Sequence, residues 1–361
     1  MEDIQQFSFS VKSSVQNYSV NFISDIKKTI SNELNEGDFI IIDKKVKTIY
    51  ISWFKDLLKK YKYLEISASE SQKSYQEAEP IINSLIEKGF KKNNRLIAIG
   101  GGITQDVTAF ISSILYRGVN WIFFPTTLLA QGDSCIGSKT SINFGKFKNQ
   151  IGGFYPPIKI FLYPTFLESL PEKEIKSGLG EMAHYFVVSG KEDFERFKND
   201  FKDALTNKKI LSGLILRSLE IKKKYIEIDE FDKNERQVFN YGHSFGHAIE
   251  SITGYKIPHG IAVSFGMDMS NFISFKKGYI NYTQLKKSRE LFEKIWNGYE
   301  KYIQNLDLDI FLNALSKDKK NKGNLLGLIL NRGYGKVFKD FTKNNQNFRK
   351  WMYEYFKHEI V

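Results

Sequence analysis

One stretch, residues 95–125, narrows what this chain can fold into more than any other. "RLIAIG" (95–100) is a short unbroken apolar run. Glycines follow it, then an apolar helical pattern, "ITQDVTAFISSILYRG" (103–118), then a second run, "VNWIFFP" (119–125). A run without polar alternation reads as a strand covered on both faces, as in parallel sheets. Two such strands joined by a helix make a βαβ unit. "DFIIID" (38–43) is a third buried run, while "FSFSV" (7–11) and "YSVNFI" (18–23) alternate as half-buried strands do. "YQEAEPIINSLIEKGF" (75–90) has helical spacing and stops near Gly89. The rhythm predicts an open α/β sheet.

The pattern changes near Pro171. Residues 171–188, 192–205, 209–230, 235–254 and 260–278 all read as helices with apolar positions three and four apart. "LLGLILN" (325–331) and "GKVFK" (335–339) read as a short hairpin, and 345–356 as a last helix. With 361 residues, 42% of them hydrophobic, the chain is long enough for two cores. The expected division is an α/β domain over 1–170 and a mainly helical domain over 171–361.

Several classes are disfavoured. The longest apolar candidate, "VNWIFFPTTLLA" (119–130), is too short to span a membrane and contains Pro125. "MEDIQQFSFSVKSS" (1–14) is acidic at its start and reads as no secretory signal. The single cysteine, Cys135, permits no disulfide within the chain and fits a reducing, cytoplasmic setting. A net charge of +12 suits either nucleic acid or small anionic substrates. The lysines are scattered through amphipathic stretches, with no arginine-rich arm or zinc-finger spacing, so a lysine-rich surface is the plain reading and no nucleic-acid partner is expected.

Three stretches can carry chemistry. Gly100, Gly101 and Gly102 stand between a strand and a helix start, where a backbone can approach a phosphate. The full dinucleotide fingerprint is absent, and a tight turn explains the glycines equally well. Asp43 closes "FIIID" and can accept from a ribose hydroxyl or cap a turn. Residues 137–155 place Lys139, Lys148 and Asn149 among glycines, as an anion-wrapping loop or a solvated one. Four of five histidines, His184, His243, His247 and His259, fall between 184 and 259, and Glu181 lies nearby. His243 and His247 share a helix face. Two imidazoles and a carboxylate suit Zn²⁺, while a satisfied core pair is the alternative.

Taken together, "GGGITQD", "YRG", "FPTTLLAQGDSCIGSKTSIN", "KNQIGGFY", "LPEKEIKSGLGE" and "NYGHSFGHAIE…PHG" closely resemble, in this order, the 3-dehydroquinate synthase family of sugar-phosphate cyclases. The resemblance implies a Rossmann-like N-terminal α/β domain and a mainly α-helical C-terminal one. It implies a catalytic Zn²⁺, or Co²⁺, on Glu181, His243 and His259, with His247 in the active site but not a ligand. It implies NAD⁺ near Asp43, Glu70, Lys73, Gly100, Gly101, Gly102, Asp106, Thr126 and Thr127, with Lys139 and Lys148 beside it. Substrate positions are implied for Arg117, Lys139, Lys148, Asn149, Lys222, Arg236, Asn240, Lys319 and Lys320. Catalytic positions are implied for Asp133, Lys139, His184, Lys222 and His247. Arg117 matches an arginine that reaches the neighbouring subunit's phosphate, which implies a homodimer.

The implied reaction turns 3-deoxy-arabino-heptulosonate 7-phosphate into 3-dehydroquinate, in the shikimate pathway, with phosphate eliminated. Three positions depart from the family pattern. His184 stands where a lysine is usual, Tyr163-Pro164 replaces an Asp-Thr pair, and Gln105 replaces a glycine. The altered His184 leaves open a paralogue acting on another ketose or ulosonate phosphate, such as sedoheptulose 7-phosphate. Lys222 and Arg236 suit a substrate carboxylate. A non-catalytic binding protein on the same fold is the reading from another class.

Overall fold

In a computed structural model, described for residues 7–145 and 147–360, the apolar runs become the centre of a sheet. Its strands are β1 (Ser8–Val11), β2 (Tyr18–Phe22), β3 (Phe39–Asp43), β4 (Lys62–Ile66), β5 (Leu96–Gly100), β6 (Trp121–Pro125) and, after a hairpin, β9 (Lys159–Leu162). The hairpin is β7 (Lys139–Phe144) and β8 (Phe147–Phe154). The order across the sheet is β1-β2-β9-β6-β5-β3-β4, parallel throughout except at the β1–β2 edge. Every residue of β3, β5 and β6 is buried, as strands covered on both faces must be. Helices α1 (Ile26–Glu33), α2 (Lys44–Ile49), α3 (Ile51–Lys60), α4 (Tyr75–Glu87) and α5 (Gly102–Ile114) provide the crossovers. Ile40, Ile42, Ile97, Ile99, Ile122 and Phe124 pack with Val46, Phe54 and Leu58 in one core.

The chain divides into two compact units, one of residues 1–170 with 222–231, the other of 171–221 with 232–361. The second holds α6 (Glu172–Ser189), α7 (Lys191–Ala204), most of α8 (Lys208–Ile228), α9 (His243–Ile252), α10 (His259–Lys276), α11 (Tyr282–Trp296), α12 (Glu300–Gln304), α13 (Leu308–Ser316) and α14 (Gln346–Glu354). It also holds the antiparallel pair β10 (Leu325–Asn331) and β11 (Val337–Lys343). In α10 every residue from Gly260 to Ser274 is buried, because it is apolar or small but for Asp268, paired with Arg289, and Asn271, bonded to Tyr241.

Residues 222–231 join the first unit through polar ties that no apolar period reveals. Lys222 Nζ lies 2.7 Å from Asp133 Oδ1. The Glu230 carboxylate accepts from the hydroxyls of Ser13, Ser14 and Ser138.

Two local readings need correction. Within 137–155, Lys139–Phe144 and Phe147–Phe154 pair as the β7–β8 hairpin rather than forming an open loop. Glycines there hide the strand pattern, yet Gly152 is where the strands meet: a Cβ would lie 1.6 Å from the Thr140 carbonyl oxygen. The expected helix over 235–254 is broken. A 3-10 turn covers Glu235–Asn240, Gly242 takes φ +83°, and α9 begins at His243. Asn240 therefore lies before the helix, not on it. Among the described residues no helix is long and apolar enough to cross a membrane.

Candidate functional site

In the second unit, glycines bring three helices to backbone contact. A Cβ on Gly260 would lie 1.8 Å from the carbonyl oxygen of Ser177, and one on Gly180 would lie 2.3 Å from that of Gly260. The Gly260 N–H donates to Ser177 Oγ at 3.1 Å. Likewise a Cβ on Gly266 would lie 1.9 Å from the Gly242 carbonyl oxygen. Side chains would hold these helices further apart. Glu181 follows Gly180 on α6, His243 opens α9 and His259 opens α10, so the close contacts converge three ligand-type side chains.

Glu181, His243 and His259 each offer a ligand atom, all within 4.8 Å of one another. His243 Nε2 lies 3.2 Å from Glu181 Oε1, and His259 Nε2 lies 3.4 Å from Oε2. Oε2 is buried and accepts no hydrogen bond, an expensive state for a carboxylate oxygen. The opposite ring nitrogens are engaged: His243 Nδ1 faces the Tyr241 carbonyl at 3.3 Å, and His259 Nδ1 faces Glu250 Oε2 at 3.0 Å. Both rings can thus donate through Nδ1–H and present an Nε2 lone pair. Burial pushes the Glu181 carboxyl up, but His243 and His259 outweigh it and hold the group well below the usual carboxylate range. An anionic oxygen with two imidazole nitrogens fits a divalent metal with positions left open.

The neighbours sort themselves around this cluster. The His247 ring centroid is 5.5 Å from that of His243 and 5.7 Å from that of His259. Crowding by protein atoms, then His243, His259 and Lys320, push His247 well below the usual histidine range. Its side chain is exposed, so the ring keeps part of its water. His184 is only 1% exposed. It sits beneath the cluster, Nδ1 3.9 Å from Glu181 Oε1, among Tyr185, Phe239 and His243. Lys320 pairs with Asp318 at 2.8 Å, whereas Lys319 is exposed. Arg236 is buried, and Asn240 donates to the Gln237 carbonyl at 3.2 Å.

The first unit gathers a second polar group. Lys73 Nζ lies 2.6 Å from Asp106 Oδ2 and donates to Asn149 Oδ1 at 2.6 Å. Lys148 lies 3.5 Å from Glu70. Burial pushes the Asp106 carboxyl up, partly offset by Lys73. Asn143, a residue the sequence reading passed over, joins them. Its amide donates to Glu70 Oε1 at 2.7 Å, its oxygen accepts from Asn149 N at 2.9 Å, and its N–H donates to the Lys73 carbonyl at 2.8 Å. Its only signal in the sequence was its place at the end of the "FPTTLLAQGDSCIGSKTSIN" stretch.

Around the glycine turn, Cβ atoms at Gly100 and Gly101 would strike Thr104 and Thr127, but one at Gly102 would meet nothing within 4 Å. Glycine at the first position of α5 is thus not required by the chain itself, which fits a ligand brought against the helix N-terminus. Thr126 is buried behind it, and Thr127 Oγ1 accepts from Ala130 N at 3.2 Å. Asp43 caps α2, its Oδ1 accepting from Lys45 and Val46 N–H, so the capping reading holds in this structure. Gln105 and Ser134 exchange hydrogen bonds at 2.6 Å. Tyr163 packs edge-on against Trp53 and Phe166. Arg117 is exposed with φ +64°, and Lys139 is exposed on β7. Cys135 is buried, and burial pushes its thiol up to about 12.

An α/β unit with this glycine turn, and a helical unit with this carboxylate–histidine cluster, define a two-unit chain of the sugar-phosphate cyclase type. A solved 2-deoxy-scyllo-inosose synthase, complexed with carbaglucose-6-phosphate, NAD⁺ and Co²⁺, has this fold. It superposes with a TM-score of 0.85 over 98% of this chain and all of its own, at 22% identity. The family models described as 3-dehydroquinate synthase N-terminal and C-terminal match residues 63–177 and 178–321. A 3-dehydroquinate synthase of Buchnera aphidicola subsp. Cinara cedri is 38% identical over 309 residues, covering 84% of each chain. One of Thermodesulfovibrio yellowstonii is 37% identical over 291 residues, covering 80% of this chain and 81% of its own. The chain belongs to the 3-dehydroquinate synthase family.

Proposed function

We propose that this chain converts 3-deoxy-arabino-heptulosonate 7-phosphate to 3-dehydroquinate and inorganic phosphate, using NAD⁺ and a divalent metal, Zn²⁺ or Co²⁺. The observation that carries the reading is the Glu181–His243–His259 cluster, with both Nε2 atoms turned to a buried carboxylate whose Oε2 accepts no hydrogen bond. The relatives named 3-dehydroquinate synthase favour this substrate over a carboxylate-free sugar phosphate. The overall change breaks the C–O bond to phosphate and forms one C–C bond, with no net oxidation. When bound, the metal supplies a Lewis acid that lowers an alcohol pKa, and NAD⁺ a hydride acceptor regenerated within the turnover.

The chain's own residues supply binding, orientation and proton handling. Glu181, His243 and His259 hold the metal. Gly102 gives the pyrophosphate of NAD⁺ access to the start of α5, and Glu70 and Lys73, tied by Asn143, line the cofactor's position with Asp106. Lys139, Lys148, Asn149, Arg117, Lys319 and Lys320 meet phosphate, with cations and amides suited to its oxygens. Lys222 and Arg236 meet the substrate carboxylate, Asp133 being the counter-charge of buried Lys222. Asn240 binds a substrate hydroxyl. His247, held neutral, accepts or returns a proton. His184 supports the cluster from beneath. The homodimer and a cytoplasmic setting belong to the same proposal. Turnover of this substrate with phosphate release, against a carboxylate-free heptulose phosphate, tests it.

A further inference from the structure

Glu250 lies on α9 seven residues after His243, on the same helix face. Its carboxylate is buried, 9% of the residue being exposed. A buried carboxylate needs a partner, and Oε2 finds one in His259 Nδ1 at 3.0 Å. The other nitrogen of that ring faces Glu181 Oε2 at 3.4 Å. His259 therefore lies between two carboxylates, and one proton decides which side it serves. Placed on Nε2, the proton would bond Glu181 and remove the lone pair a metal needs. Placed on Nδ1, it bonds Glu250 and leaves Nε2 open.

We infer that Glu250 is a positioning residue, which fixes the tautomer and orientation of His259 so that Nε2 faces the metal held with Glu181 and His243. The inference rests on the metal-centre reading above. A carboxylate behind a ligating imidazole also raises the basicity of the ligand nitrogen. His243 has a neutral counterpart, the Tyr241 carbonyl at 3.3 Å from its Nδ1. The two histidines are thus held differently, one by a backbone dipole and one by a charge.

His247, Glu250 and His259 also place ligand atoms within 4.8 Å of one another. A second ion that used His259 Nδ1 would make both ring nitrogens ligands at once. The 3.0 Å contact to Glu250 accounts for that nitrogen without an ion.

The test is zinc binding to metal-stripped full-length protein, by chelator competition, for wild type, H243A, E250A and E250Q, with imidazole ¹⁵N NMR of His259. Wild type binds one equivalent and H243A loses it. E250A binds 10–100-fold more weakly, the range for losing such a partner. E250Q, whose amide oxygen still accepts from Nδ1–H, loses less than E250A and keeps the Nδ1–H tautomer. If E250A does not fold, E250Q decides, and it must still bind more weakly than wild type. Zinc affinity of E250A or E250Q equal to wild type, with H243A inactive in binding, overturns the role of Glu250 alone. Unchanged binding by H243A overturns the metal centre and this inference with it. Two equivalents in wild type, one of them lost in E250A, overturns it in favour of a second ion site.

Discussion

Gly260 and Ser177 touch backbone to backbone: a Cβ on Gly260 would lie 1.8 Å from the Ser177 carbonyl oxygen. That contact sets how near α10 comes to α6, and so how near His259 comes to Glu181. Gly260→Ala forces the helices apart. The expected cost is about 3 kcal/mol or more, as for overpacking against a rigid neighbour. Denaturant unfolding and zinc content check it: both stability and zinc fall. An alanine variant with wild-type stability would show that the contact relaxes freely.

Gly102 is the opposite case, since a Cβ there meets nothing within 4 Å. Gly102→Ala leaves the melting temperature within about 2 °C, because no packing is lost and alanine suits a helix. It weakens NAD⁺ binding roughly tenfold, by a side chain where the pyrophosphate approaches. Fluorescence titration with NAD⁺ reads the second effect. Unchanged affinity would leave Gly102 a turn residue only.

Asn143 donates to Glu70 and accepts from the Asn149 N–H. Asn143→Ala loosens the residues proposed to line the cofactor. NAD⁺ affinity drops about fivefold to tenfold while zinc content stays at the wild-type level, on losing one or two hydrogen bonds to polar groups. Loss of zinc in parallel would indicate general unfolding.

Glu230 ties residues 222–231 to the first unit. Burial pushes its carboxyl up, but hydrogen bonds from Ser13, Ser14 and Ser138 outweigh this and hold it below its ordinary value of 4.5. A depressed pKa means the stabilisation is present above pH 4.5 and lost as pH falls through the folded value. Glu230→Gln should cost about 1–3 kcal/mol at pH 7, from the weakened hydrogen bonds, and progressively less as pH falls below 4.5. Urea midpoints across this range check the sign. A gap that widened in acid would contradict it.

The buried strands were legible because an unbroken apolar run has few alternatives once "RLIAIG" and "VNWIFFP" flank a helix. The hairpin over Lys139–Phe154 was not, because its glycines serve strand contact and erase the alternation that marks a strand. The break before α9 depended on one φ at Gly242, which the helical spacing of "FNYGHSFGHAIE" overrides on paper. Local spacing paired His243 with His247. The structure instead turns His243 to Glu181, 62 residues away. Glu250 and Asn143 were missed for one reason: each acts on another side chain, and only packing reveals which.

In the proposed function the Glu181–His243–His259 cluster and the glycine turn serve one cyclisation. Incubating purified wild-type protein with NAD⁺, Zn²⁺ and 3-deoxy-arabino-heptulosonate 7-phosphate, while following inorganic phosphate and 3-dehydroquinate, tests it most directly. The predicted result is one phosphate and one 3-dehydroquinate per substrate consumed, no accumulation of NADH, and almost no turnover by His243→Ala. No phosphate release from this substrate, by protein that carries zinc and binds NAD⁺, would contradict the account.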